Sequence, residues 1–344
     1  MKKYKSPQDI KVGVIGYGGA FNMGKCHLDQ MQQAGMTPVA VAEIDPARLA
    51  VAQQDFPGIG TFKSVAQMLK KSDVNLIVII TPHNTHAKLA TQCMRAGRHV
   101  VCEKPLAITT AEVDAMIATA QKHRVMLSTY HNRHWDGCIL EALKRVKKNK
   151  EIGDIVRIDA HMCVYEKPGN WWRSSRSISG GILYDWGVHL LEYSLQLIES
   201  NITEVSGFSH SGFWAQKTRW KTDTNEDEAY AVVRFKSGQW LTLHFSQIDA
   251  KGKDSHLSIS GTKGTYAFDY HRYQIHKKST QKNSMIDRPH PDGTQHLYYQ
   301  NIADYLTGKA KLIITPEWSR RPIHILDLAV KSAQQGTALK AKYK

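Results

Sequence analysis

The sequence predicts an α/β domain with a parallel sheet, followed by an α+β domain with a large, mostly antiparallel open sheet. Over residues 1–130, short apolar runs alternate with amphipathic helical patterns, as in βαβ units whose sheet is covered on both faces. Over residues 131–344, strand patterns follow one another through glycine-containing turns, which is typical of an antiparallel meander. We therefore expect a Rossmann domain and then a second domain, whose C-terminal helix could pack back on the first.

The period of the apolar residues predicts the individual elements. Buried strands are expected in the first domain over residues 11–16, 37–43, 75–81, 98–103 and 125–128. Helices are expected between them over residues 46–54, 64–70, 85–96 and 110–123. In the second domain, a helix over 135–148 precedes strands over 155–164, 204–210, 229–235, 239–247, 256–260 and 265–270.

Composition and charge bear on the partners of the chain. Its 344 residues are 42% apolar, enough for a sizeable core, and its net charge of +15 raises the question of a nucleic-acid partner. The positive charge is spread out, since residues 1–130 carry 15 basic and 9 acidic side chains and the remainder carries 31 and 22. We therefore expect no nucleic-acid partner.

Membrane insertion and secretion are also disfavoured. The longest apolar runs have about five residues, against the ~20 of a membrane-spanning helix, and no apolar segment follows the basic N-terminus. The five cysteines show no C-x-x-C spacing, so neither a disulfide framework nor a zinc knuckle fits them. These features predict a cytoplasmic protein with no membrane partner.

A glycine-rich turn follows the first predicted strand. Glycines at such a turn let the backbone approach a pyrophosphate, which the amides and dipole of the next helix then hold. The third glycine of a G-x-G-x-x-G pattern would fall at Phe21, and Gly24 could take its packing role if the turn is longer than usual. The candidate cofactor contacts in this turn are Gly16, Tyr17, Gly18, Gly19, Ala20, Phe21 and Asn22.

An acidic residue, Glu43, ends the second strand 27 residues after Gly16. A carboxylate there can accept the adenosine-ribose hydroxyls and would repel a 2′-phosphate, so NAD is favoured over NADP. An ordinary loop acid is the alternative interpretation of Glu43.

Two further segments follow predicted strands, where the ligand crevice of a parallel sheet lies. They contribute the cofactor candidates Thr81, Pro82, Asn84 and His86, and then Glu103 and Lys104. On spacing alone, His86 could equally cap the helix that follows.

In the second domain, Asp185 and His189 are four residues apart. On a helix they would share a face, so carboxylate and imidazole could address one ligand. An ion pair within the helix is the plainer alternative, and a metal site is not expected because no third ligand is evident nearby.

Taken together, these motifs resemble those of the Gfo/Idh/MocA family of oxidoreductases. T-P-H-N-T-H at 81–86 and A-G-R-H-V-V-C-E-K-P-L-A at 96–107 match its hallmark, and W-R at 172–173 with the G-G…D-x-G-x-H segment at 180–189 matches its later motif. The glycine turn departs from the pattern by about three extra residues. The segment 130–135 keeps only part of the usual arginine-rich pattern.

The resemblance implies roles for individual residues. Lys104, Asp185 and His189 would act at the substrate, with His189 as general base, Lys104 holding the substrate oxygen and Asp185 positioning the hydroxyls or the imidazole. Glu103 would contact the nicotinamide-side ribose, and the peptide bond before Pro105 would be cis. The implied substrate contacts are Lys104, Asn132, Arg133, Trp172, Arg173, Asp185 and His189.

The hypothesis is an NAD-dependent oxidoreductase that transfers a hydride between a sugar, sugar acid or cyclitol and the nicotinamide. One alternative is an enzyme that uses bound NAD transiently, of the glycosidase or epimerase/dehydratase type. Another is a non-catalytic regulator that senses the dinucleotide. The resemblance also implies a homodimer or homotetramer formed through the sheet of the second domain.

Overall fold

The computed structural model describes residues 3–277 and 283–343. The chain divides into two compact units, of which the first comprises Met1–His131 and His296–Arg320 and the second Asn132–Gln295 and Arg321–Lys344. Residues 296–320 lie within the part of the chain that the sequence analysis assigned to the second domain. Their place in the first unit depends on contacts that no local pattern reveals.

The first unit contains a six-stranded parallel sheet of order β3-β2-β1-β4-β5-β6. This order reverses between β1 and β4, as in a Rossmann fold, so the predicted fold of the first domain is confirmed. The strands are β1 (Lys11–Ile15), β2 (Thr37–Ala42), β3 (Gly60–Phe62), β4 (Leu76–Ile79), β5 (His99–Cys102) and β6 (Leu127–Thr129). The helices between them are α1 (Met23–Gln33), α2 (Pro46–Asp55), α3 (Val65–Lys71), α4 (His86–Arg95) and α5 (Thr110–His123).

Local sequence explains why these elements begin where they do. The Asp45 side chain caps α2 by accepting from the Ala47 amide at 2.9 Å, and Thr109 and Glu112 form a capping box at the start of α5. Strands β4 and β5 are buried along their whole length, as expected for a sheet covered on both faces. Strand β3 was not predicted, because a three-residue strand carries no apolar run.

The second unit contains a nine-stranded sheet of order β14-β13-β12-β11-β7-β10-β9-β8-β15. The predicted antiparallel character is confirmed for most pairs, but β7 and β10 pair in parallel, which corrects the expectation of a simple meander. The strands are β7 (Ile155–Cys163), β8 (Ile202–His210), β9 (Glu228–Phe235), β10 (Trp240–Ser246), β11 (Leu257–Gly261), β12 (Gly264–Phe268), β13 (Arg272–Lys277), β14 (Ser284–Pro289) and β15 (Leu339–Lys340).

The long helix α8 (Ile182–Leu197) packs on one face of this sheet. A Cβ at Gly187 would lie 3.2 Å from Leu243 and 3.6 Å from Phe245, so the missing side chain brings the helix close to β10. The other helices before it are short, namely α6 (Gly137–Ala142) and α7 (Arg176–Ser179).

The single helix predicted over 135–148 is wrong in its detail. A 3₁₀ turn at Asn132–Trp135 precedes α6, and a π-helical segment, Leu143–Lys148, follows it. Asp136 is the N-cap of α6, and a Cβ at Gly137 would lie 1.8 Å from the carbonyl oxygen of Pro291. The glycine is therefore required by a chain segment more than 150 residues away.

The last helices are α9 (Leu297–Thr307) and α10 (Pro316–Gln335). In the first unit, Tyr298 of α9 lies 3.0 Å from Ser128, hydroxyl to hydroxyl. In the second unit, the close approach of α10 to β8 depends on Gly207, where a Cβ would lie 2.0 Å from the Ala329 carbonyl oxygen. Across the described residues, no helix is both long enough and apolar enough to span a bilayer.

Candidate active site

The turn after β1 lies where the strand order of the first unit reverses. Gly16 has φ +97°, and a Cβ on it would lie 2.3 Å from the carbonyl oxygen of Ile80, just after β4. The two neighbouring strands can therefore end in close contact only if this residue is glycine. This is the edge at which doubly wound sheets bind ligands.

Tyr17 turns inward from the same segment, and its ring is buried. Its hydroxyl donates to Asp55 at 2.8 Å, and a Cβ at Gly24 would lie 2.5 Å from its ring. Gly24 therefore permits the first turn of α1 to pack on Tyr17, which is the packing role considered for it in the lengthened turn. Burial and the bond to Asp55 raise the pKa of Tyr17.

The rest of the turn is exposed, over residues 18–22. Asn22 is the N-cap of α1 in a left-handed conformation, and its side-chain oxygen faces Arg48 at 3.5 Å. A Cβ at Gly18 would meet no atom within 4 Å. The turn thus presents exposed backbone at a helix N-terminus, which is the arrangement that binds phosphate groups.

Glu43 is fixed at the end of β2 by backbone amides. One carboxylate oxygen accepts from Tyr17 at 2.7 Å, and the other accepts from Ile44 at 2.7 Å and Asp45 at 3.1 Å. The two oxygens of a carboxylate have about four lone-pair positions in total. Three of these accept from the backbone amides, so one is left for a ligand hydroxyl.

Arg48 is a residue that the sequence analysis missed. Its Nε donates to the Tyr17 carbonyl oxygen at 2.8 Å, and a Cβ at Gly19 would lie 3.2 Å from its guanidinium. A helix arginine five residues beyond Glu43 gives no signal in the sequence, because the contact depends on how α2 packs beside the turn.

The segment after β4 contains Thr81, Pro82, Asn84 and His86. The Thr81 hydroxyl lies 2.6 Å from that of Thr85, and Asn84 is exposed. His86 is fully buried, with Nδ1 2.8 Å from the Pro105 carbonyl oxygen and Nε2 2.8 Å from that of Thr81. The imidazole thus lies between two backbone segments, and the cofactor contact expected for His86 stays a prediction.

The segment after β5 carries Glu103 and Lys104. The peptide bond between Lys104 and Pro105 is cis, as the resemblance implied. Glu103 Oε1 lies 2.9 Å from Nε2 of the buried His27, and Oε2 accepts from the Lys104 amide at 3.0 Å. Burial alone would raise the pKa of Glu103, but the hydrogen bond and charge of His27 and the charge of Lys104 outweigh it and lower the pKa.

In the second unit, two glycines precede α8, and an acidic residue distant in sequence contacts its first turn. Gly180 and Gly181 have φ +95° and +123°, and the Glu226 carboxylate accepts from the Ile182 amide at 3.0 Å. A Cβ at Gly181 would lie 2.8 Å from the same carboxylate. Gly181 therefore lets Glu226 satisfy the first turn of the helix.

Asp185 and His189 occupy successive turns of α8, as their spacing predicted. Asp185 Oδ2 forms an ion pair with Arg173 Nη1 at 3.5 Å, and the Arg173 guanidinium lies 5.3 Å from the ring centre of Trp172. The structure therefore brings together three of the predicted residues, Trp172, Arg173 and Asp185, beside the predicted base.

The Trp186 ring lies beside His189, with 5.5 Å between the ring centres. The Arg133 guanidinium lies 5.0 Å from the ring centre of Trp186 and 4.8 Å from that of Tyr270. Asp136 fixes this guanidinium at 2.8 Å. The half-buried Asn132 precedes Arg133 in the same 3₁₀ turn. Tyr270 is a second residue that the sequence analysis missed, because it lies in the turn between β12 and β13 and no motif marks it.

Comparison with known proteins identifies the family of this chain. Residues 10–131 match the model of an oxidoreductase family with an NAD-binding Rossmann fold, GFO/IDH/MocA, and residues 140–267 match a C-terminal domain of the same family. The chain belongs to the Gfo/Idh/MocA family. It is accordingly an NAD(P)-binding oxidoreductase of that family.

Individual relatives are distant. The chain is 24% identical to the scyllo-inositol 2-dehydrogenase (NADP⁺) of Bacillus subtilis over 359 aligned positions, which cover 97% of each chain. It is 26% identical to the myo-inositol 2-dehydrogenase of Thermotoga maritima over 256 positions, or 74% of each chain. A solved levoglucosan dehydrogenase, in complex with NADH and levoglucosan, has a TM-score of 0.81 at 20% identity and covers 97% of this chain and 99% of its own. This last likeness shows the fold.

The residues of this Gfo/Idh/MocA chain fit a dinucleotide. The open space beside Gly18 and the exposed N-terminus of α1 could receive the pyrophosphate, and Glu43 retains an acceptor position for a ribose hydroxyl.

Proposed function

We propose that this protein is an NAD-dependent dehydrogenase that acts on a hydroxyl-bearing carbon of a sugar, sugar acid or cyclitol. The observation that carries the proposal is the pair Asp185 and His189 on successive turns of α8, in a chain whose first unit has the family's NAD(P)-binding fold. The two inositol dehydrogenases among the relatives support the substrate class.

Three side chains have separate roles in the proposed reaction. The nicotinamide, when bound, supplies the hydride acceptor or donor. His189 removes the hydroxyl proton during oxidation, because an imidazole nitrogen can serve as a general base. Lys104 holds the substrate oxygen and stabilises the negative charge that develops on it. Asp185 positions the substrate hydroxyls or the imidazole.

The charges around Asp185 favour a neutral substrate within this class. Arg173 is already paired with Asp185, and Arg133 with Asp136, so each guanidinium is balanced by a protein carboxylate. The Trp172 and Trp186 rings lie beside these pairs and offer flat apolar faces next to polar groups. This arrangement suits the face of a polyol ring better than a sugar acid.

Incubation with NAD and a panel of neutral sugars, sugar acids and cyclitols tests the proposal. We expect NADH to accumulate with at least one neutral polyol. Conversion of a glycoside or epimer without net NADH would favour transient use of the cofactor. Binding of NAD with no conversion across a broad panel would favour a dinucleotide sensor.

Glu43 is the basis for proposing NAD over NADP. Its carboxylate would lie near the 2′ position and repel a phosphate there, a single interaction worth on the order of 1–4 kcal/mol. In Glu43→Gln we expect the affinity for NADP relative to NAD to rise at least about tenfold, measured by calorimetric titration.

The matched control is Asp45→Asn, which removes a nearby negative charge but keeps a side chain able to cap α2. This control should leave the preference unchanged. An equal shift in both variants would show that general charge, not Glu43, decides between the cofactors.

Assembly into a homodimer or homotetramer through the open sheet stays a prediction.

A further inference from the structure

A buried histidine lies directly behind the segment that carries Lys104. His27 is on the second turn of α1 and has no exposed surface. Its Nε2 lies 2.9 Å from Glu103 Oε1, and its Nδ1 lies 2.5 Å from the hydroxyl of Tyr299. These three side chains come from α1, from the end of β5 and from α9, all within the first unit.

The carboxylate sets the direction of one of these hydrogen bonds. At Nδ1, the Tyr299 hydroxyl can either donate or accept. The pKa of Glu103 is lowered, so its carboxylate is ionised and accepts from Nε2–H. Because a carboxylate only accepts, Nε2 of His27 carries a proton that it donates to Glu103.

The chain of bonds continues into the backbone. The second oxygen of Glu103, Oε2, accepts from the Lys104 amide at 3.0 Å, while the Glu103 amide itself donates to the Ile79 carbonyl oxygen at 2.9 Å. The Glu103 carboxylate is thus held on one side by His27 and holds the Lys104 backbone on the other.

We propose that His27 is a positioning residue that orients Lys104 for the reaction through the Glu103 carboxylate. Tyr299 supports it by holding Nδ1, so that the ring keeps Nε2 directed at Glu103. The kinetic part of this inference rests on the proposed dehydrogenase function, in which Lys104 holds the substrate oxygen. Its structural part, the orientation of Lys104, does not.

Two isosteric variants separate this role from simple packing. His27→Gln places an amide donor near the position of Nε2 and keeps the bond to Glu103, whereas His27→Asn reaches only the position of Nδ1. The first readout is the rate at which an acetyl succinimidyl ester acylates Lys104, measured by peptide mass spectrometry. The exposed Lys88 of α4 is the internal reference. The second readout is kcat.

In His27→Asn we expect Lys104 acylation relative to Lys88 to change at least about threefold and kcat to fall about tenfold, because a misplaced group loses its alignment. In His27→Gln both readouts should stay within about twofold of the parent protein. Equal behaviour of the two variants, or an unchanged Lys104 reactivity in His27→Asn, would overturn the proposal.

Other outcomes are assigned in the same way. Suppose that no polyol is turned over, but the reactivity of Lys104 differs between His27→Asn and His27→Gln as expected. The proposed function is then wrong, and the positioning role stands. If His27→Asn does not fold, Tyr299→Phe supplies the test, because it removes the hydroxyl that holds Nδ1 and with it the orientation of the imidazole. An unchanged Lys104 reactivity in Tyr299→Phe would then contradict the proposal.

Discussion

Replacement of His189 by alanine is expected to lower kcat at least about 100-fold, while the dissociation constant for NAD changes less than about threefold. The reason is that His189 is the proposed base for the substrate hydroxyl and lies on α8 of the second unit, whereas the proposed cofactor contacts lie in the first. Loss of the base slows proton removal without altering the groups that hold the dinucleotide. Steady-state kinetics and calorimetric titration measure the two quantities.

The control for this prediction is His210→Ala. His210 is on β8 of the same unit and is largely exposed, so its removal deletes an imidazole without touching α8. Because His189 is 4% exposed, His189→Gln serves as a second variant that keeps the side-chain volume and should lose the same activity. A rate in either His189 variant close to that of His210→Ala would remove His189 as the base.

Gly16→Ala is the second change with a large expected effect. The new Cβ would lie 2.3 Å from the Ile80 carbonyl oxygen, in a residue with φ +97°. Strain of this kind and overpacking each cost about 1–3 kcal/mol, so we expect the free energy of unfolding to fall by at least about 2 kcal/mol. The affinity for NAD should also fall at least about tenfold, because the turn can no longer approach β4.

Gly18→Ala is the matched control in the same turn. Its Cβ would meet no atom within 4 Å, so the free energy of unfolding should stay within about 0.5 kcal/mol of the parent value. Urea denaturation of both variants measures the difference. Equal stability of the two variants would contradict the role assigned to Gly16.

The parallel sheet was predictable because its strands are buried on both faces and its helices carry local start signals. Strand β4 is an unbroken apolar run, and α5 begins at the capping box formed by Thr109 and Glu112. Such features act within a few residues and can be recognised in the sequence itself.

The edge strands of the second sheet were not predictable in the same way. Strand β14, Ser284–Pro289, is half-buried at most and therefore shows no apolar alternation.

The parallel pairing of β7 with β10 joins residues about 80 positions apart, such as Ala160 and Leu243, and no turn between them specifies it. Long-range register is fixed by packing rather than by local pattern.

In the candidate site, too, the residues in local motifs were predictable and those with long-range contacts were not. The motifs located Glu43, Lys104, Asp185 and His189, because residue type and position after a strand or on one helix face suffice to suggest them. The residues behind Glu103 could not be found, since their contacts span the chain. His27 meets Tyr299 across 272 positions.

The most direct test of the account is to follow deuterium from a polyol labelled at its hydroxyl-bearing carbons. With NAD present, we predict that the label appears on the nicotinamide of the NADH product, detected by mass spectrometry, and that His189→Gln suppresses the transfer at least about 100-fold. Oxidation of the polyol with deuterium released to water, or turnover that leaves the cofactor unlabelled, would contradict direct hydride transfer.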